Sequence, residues 1–162
     1  MFRVSCIQLR SNNNILHNLK KTEKFIIKAL KQKTDFILTP EVSSLFSLNK
    51  KQLLKTCKPM NEDKYLFGVK QLAEKYKKWI LIGSLITKIN KKKLVNRSVL
   101  IDKTGKIRAY YDKIHMYDVV LSKREKYFES KTFSAGKKIK SFNLPWGKLG
   151  LSICYDLRFP NM

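Results

Sequence analysis

A chain of 162 residues is long enough for one domain with a true core, since folding at this size buries roughly 70% of the extended-chain surface. No apolar stretch approaches a bilayer span: the most apolar uncharged run is the nine residues Trp79 to Thr87, and the alternating start MFRVSCIQLR lacks a signal-peptide core, so a cytoplasmic protein with no membrane partner is expected. The net charge of +23 comes from 29 Lys and only six Arg, spread along the chain without a basic arm; this argues for a solvated surface that binds polyanions weakly at low salt, against a specific nucleic-acid partner, and against a basic interaction module as the protein's role.

The first element is an alternating strand over Phe2 to Leu9. Asn14 then caps a helix with an apolar stripe at Ile15, Leu19, Ile26, Ile27 and Leu30. Phe36 to Thr39 is a short buried strand that Pro40 ends. Asn61, followed by Glu62 and Asp63, reads as the start of a second helix with its stripe at Tyr65, Val69, Leu72 and Tyr76. Trp79 to Thr87 is a strand rich in Ile and Leu. Hairpins follow. Leu94 to Ile101 and Ile107 to Lys113 flank the turn Asp102 to Lys106, and Lys140 to Leu144 and Lys148 to Cys154 flank Pro145-Trp146-Gly147. Met116 to Ala135 has no clean period and reads as a long functional loop. The fold class is α/β with a mixed sheet.

The cysteines, Cys6, Cys57 and Cys154, are far apart, with no CxxC pair and only His17 and His115 to join them. Neither a zinc site nor a disulfide framework is expected, and Cys6 and Cys57 read as buried small hydrophobes.

Three polar groups fall where strands end: Glu41 after Thr39-Pro40, Lys113 after Tyr111, and Cys154 after Ile153. Sites in open α/β sheets gather outside the carboxyl ends of strands. If the three converge, a carboxylate base, a thiol nucleophile and an ammonium for an oxyanion form a coherent set, with the Tyr155 backbone N–H as a second oxyanion donor. His115 is an alternative base, or a structural hydrogen-bonding residue. On spacing alone the catalytic and structural readings of these residues stand level.

Four segments carry more information: "TPEVSS" around Glu41, "YYDKIHMYD" around Lys113, "YFESKTFSAG" around Glu129 and "WGKLGLSICYDLRFP" around Cys154. In this order and at these intervals they resemble the nitrilase (carbon–nitrogen hydrolase) superfamily. The resemblance implies Glu41 as general base, Lys113 as oxyanion stabiliser, Cys154 as nucleophile and Glu129 as the glutamate that orients the lysine. It implies attack on an amide or nitrile carbon, a thioester intermediate, no metal or other cofactor, and a four-layer α-β-β-α sandwich that assembles as a homo-oligomer. The form C-Y-D-L-R-F-P is similar to the amidase branch that acts on small ω-amides and deaminated glutathione. Such substrates carry carboxylates, for which Arg158 is a candidate cation; an ion pair within the protein is the other reading of Arg158. The resemblance covers residues 1–162 but only the first part of the family domain, just past the nucleophile elbow. A helix is expected to begin at Asp156, and a complementary C-terminal segment is expected as a partner if the short chain is inactive alone.

Overall fold

The computed structural model describes residues 2–162. Five strands form the main sheet in the order β1-β2-β3-β4-β5: β1 (Val4–Cys6), β2 (Phe36–Leu38), β3 (Trp79–Asn90), β4 (Lys93–Ile101) and β5 (Ile107–Asp112). β1, β2 and β3 are parallel, whereas β3, β4 and β5 are antiparallel, so the sheet is mixed as expected. Helices α1 (Ile15–Leu30) and α3 (Lys64–Tyr76) make the parallel connections, and a short α2 (Lys50–Thr56) precedes α3.

The period of two along each strand sorts the core into two faces. Ile80, Ile82, Val99 and Ile101 point to the helices, where they meet Ile26, Tyr65, Val69 and Leu72. Leu81, Leu100 and Tyr111 point the other way. They meet Leu151 and Ile153, and the hairpin of β8 (Lys140–Leu144) and β9 (Gly147–Leu151) covers them. Helices, sheet and hairpin thus stack as three layers. The second helical layer of the expected sandwich is not among the described residues.

Helix entry follows side-chain capping. The Asn14 side chain accepts from the His17 N–H at 3.0 Å and the Asp63 side chain from the Leu66 N–H at 2.8 Å. Several expectations are corrected. The second predicted helix starts at Lys64 on an Asp63 cap, because Met60–Glu62 forms a separate 3-10 turn. Ile27 is exposed, and the buried face of α1 runs through Asn18, Thr22, Ile26 and Ala29, where the Thr22 hydroxyl meets that of Tyr65 at 2.8 Å. The first strand is three residues long, and Cys6 on it is exposed rather than buried, because β1 is the sheet's edge. The stretch 116–135 carries its own hairpin of β6 (Asp118–Val120) and β7 (Lys126–Phe128). Its two strands are too short for their alternation to stand out. No helix among the described residues is long and apolar enough to cross a membrane.

Candidate active site

Glu41 is delivered by a break in the regular ladder. β3 bulges between Ile82 and Leu85, and the chain leaving β2 bonds to that bulge. The Ser84 N–H donates to the Pro40 carbonyl at 3.2 Å, and the Val42 N–H to the Ser84 hydroxyl at 2.8 Å. Gly83 makes this approach feasible: a Cβ there would lie 2.0 Å from the Thr39 carbonyl oxygen. Immediately after the carboxylate, Val42 has φ 53, an unusual conformation for a β-branched residue.

Lys113 follows β5, with its backbone held on both sides. Its N–H donates to the Asn96 carbonyl at 2.9 Å, and its carbonyl accepts from the Gly136 N–H at 2.8 Å. Gly136 lies so close to Asp112 that a Cβ would meet that residue's carbonyl oxygen at 2.1 Å. The Lys113 side chain is 3% exposed, and its ammonium sits between two carboxylates, 2.8 and 3.0 Å from the oxygens of Glu129 and 3.3 Å from Glu41 Oε1. Burial works against the charge, but the Glu129 hydrogen bonds and the charges of Glu41, Glu129 and Cys154 outweigh it, so the amine is held above the usual lysine range and stays an ammonium.

Glu129 opens a 3-10 turn directly after β7, and its Oε2 also accepts from the Tyr117 N–H at 2.7 Å. The β6–β7 hairpin thus brings this carboxylate to Lys113.

Cys154 stands beyond β9 at the head of a 3-10 turn, Cys154–Arg158, whereas the start of a helix was expected at Asp156. It is exposed and has φ 50. Such left-handed geometry at a non-glycine residue costs about 1–3 kcal/mol and gathers at functional sites. Desolvation and the Glu41 charge raise the thiol's pKa above its ordinary value, against the opposing pull of Lys113. A thiol in this setting needs a base to become a nucleophile, and Glu41 is the carboxylate beside it. The Tyr155 N–H lies in the first turn, among the leading donors for which a helical turn has no carbonyl of its own.

Glu41, Lys113, Glu129 and Cys154 thus reach one cleft of about 480 Å³ from four separate segments. Arg158 does not join them: it is exposed and lines a different cavity with His115 and Phe159, because the tight turn after Cys154 carries it away. His115 is structural in geometry, with Nδ1 2.8 Å from Asp156 Oδ1 and its ring stacked on Phe159 at 3.6 Å. Asn96 was missed in the sequence. It is 1% exposed, its side-chain N–H donates to Glu41 Oε1 at 2.7 Å, and its own Oδ1 is buried without a partner among the described residues. Its signal was weak, an amide followed by Arg97 and Ser98 in the middle of a strand that is apolar on either side of these three.

A family model described as carbon-nitrogen hydrolase matches residues 3–162. The deaminated glutathione amidase of Yersinia enterocolitica is 34% identical over 162 residues, 98% of this chain and 56% of that protein. The omega-amidase NIT3 of Saccharomyces cerevisiae is 30% identical over 99% of this chain and 57% of its own length. The crystal structure of the Caenorhabditis elegans NitFhit protein superposes with a TM-score of 0.87 at 30% identity, covering 99% of this chain and 40% of that one. The chain spans just over half the length of the two amidases.

Proposed function

The chain belongs to the carbon-nitrogen hydrolase family, and from that premise we propose that it carries the catalytic half of an amidase acting on a small carboxylated amide. The observation that supports this most is the meeting of a thiol, a carboxylate and a carboxylate-flanked ammonium in one cleft from segments far apart in the chain.

In the proposed reaction Glu41 takes the Cys154 proton as sulfur attacks the amide carbon. The oxygen becomes an oxyanion between the Lys113 ammonium and the Tyr155 N–H; loss of one such donor typically costs about 3–4 kcal/mol in the transition state. The tetrahedral intermediate collapses, the C–N bond breaks, and Glu41 returns its proton to the leaving ammonia or amine. Cys154 is left as a thioester. Water then attacks the thioester carbon with Glu41 again accepting a proton, and the acid leaves as the thiol re-forms. Glu129 keeps Lys113 charged and aimed.

Residues 1–162 are proposed to be one portion of the family domain. A complementary segment would supply further walls of the cleft and cover apolar side chains left open on the β1 edge, such as Val4 at 45% exposure. The test is ammonia release from monoamides of short dicarboxylic acids, with the chain alone and with the remaining part of the domain supplied in trans. Turnover that disappears in Cys154→Ala supports the proposal. Turnover that persists in Cys154→Ala refutes it.

A further inference from the structure

Asp156 is the most completely buried carboxylate among the described residues, 1% exposed, and the scheme above gives it no part. Its two oxygens accept four hydrogen bonds. Oδ2 takes the Ile153 N–H at 2.9 Å and the Tyr111 hydroxyl at 2.7 Å; Oδ1 takes the His115 N–H at 2.9 Å and lies 2.8 Å from His115 Nδ1. The donors belong to two segments. Ile153 immediately precedes Cys154, whereas Tyr111 and His115 stand two residues before and two residues after Lys113. The Tyr111 hydroxyl also accepts from the Ile114 N–H at 3.2 Å, so the network reaches the residue next to the lysine. Burial alone would raise the Asp156 carboxyl; the bonds from Tyr111, His115 and Ile153 overcome it and hold the group below the usual carboxylate range.

We propose that Asp156 is a positioning residue: a buried carboxylate that holds the strained Cys154 turn in register with Lys113. The idea follows from the bonding pattern. A carboxylate placed only to fill space needs no fixed set of donors, and one that merely capped the turn would bond to Ile153 alone. This carboxylate bridges the nucleophile's turn to the lysine's strand. A misplacement of about 1 Å between reacting groups can cost roughly 100-fold in rate, which is the scale of effect such a bridge controls. The inference rests on the reading of Cys154 as nucleophile.

The test compares two exposed cysteines in one molecule. The 162-residue chain is incubated with acrylamide, a small amide that adds to thiols, and adducts at Cys154 and Cys6 are quantified by peptide mass spectrometry. In Asp156→Asn, which keeps the shape but removes the charge, the Cys154-to-Cys6 rate ratio is expected to fall roughly 100-fold, and kcat for amide turnover to fall with little change in KM. An unchanged ratio overturns the inference, because a merely structural role would not single out Cys154. If Asp156→Asn fails to fold, Tyr111→Phe removes one of the four donors; there the ratio is expected to fall about tenfold or less, and an unchanged ratio again overturns the inference. Absence of amide turnover even with the remaining part of the domain supplied in trans counts against the proposed function, whereas the adduct ratio decides the role of Asp156 separately.

Discussion

Lys113 and Cys154 both stand just past the end of a strand, yet the chain treats them in opposite ways. Lys113 is buried, with its backbone bonded on both sides and its charge met by two carboxylates. Cys154 is exposed and held at positive φ. The difference separates two tasks. The buried ammonium is built into the fold, where ion pairing offsets the cost of burial. Cys154, the proposed nucleophile, is presented at the surface of a turn, and in the proposal above its position depends on the bonds of Asp156.

The largest expected effect breaks the buried side of that contrast. Lys113→Met leaves Glu41 and Glu129 facing each other without a cation. Removing one partner of a buried ion pair typically costs about 3–5 kcal/mol. Denaturant unfolding should register a loss on that scale, together with loss of amide turnover; a variant as stable as the parent would contradict the account. Gly83→Ala is next. Its methyl group cannot fit against the Thr39 carbonyl, so the strand end must move and carry Glu41 with it. A fall of roughly 100-fold in kcat is expected from such a displacement, with the sheet intact by circular dichroism. Asn96→Leu removes one donor to Glu41 and one orphaned buried oxygen at once. These oppose each other in stability, so the melting temperature should change little while kcat falls about tenfold, the scale of one hydrogen bond.

The smallest effect is on pH dependence. The folded-state pKa of Asp156 lies below its unfolded value, so its contribution to stability is complete above the ordinary carboxylate range. It is lost as pH falls through the depressed folded value. Melting temperature measured downward from pH 5 should therefore decline less steeply in Asp156→Asn than in the parent. An identical slope would remove Asp156 from the acid response.

Much of this was legible in the sequence for simple reasons. Lys113 and Cys154 follow runs whose period of two marks them as strands, Glu41 follows a short apolar run that Pro40 ends, and the ends of strands are where side chains escape the ladder. Glu129 lies in a stretch with no such period, and only its surrounding motif identified it. Asn96 was hidden because a polar residue inside a strand looks the same whether it faces water or a cleft; the bulge at Ile82/Leu85 and the pairing of β4 decide which. Arg158 was a candidate for the substrate because the carboxylates of the substrates that the resemblance implies call for a cation, with an ion pair within the protein as the other reading. The tighter 3-10 turn rotates it into another cavity, and turn type is set by long-range bonds such as those of Asp156 rather than by local sequence.

The central claim is that Cys154 becomes acylated. The most direct measurement is acid-quenched mass spectrometry of the protein during incubation with a short dicarboxylic monoamide, followed by peptide mapping. An acyl adduct on the Cys154 peptide, absent in Cys154→Ala and accumulating when water attack is slowed in Glu41→Gln after acylation by an activated ester, is the predicted result. Hydrolysis that proceeds with no adduct, or an adduct carried by Cys6 or Cys57 alone, would contradict it.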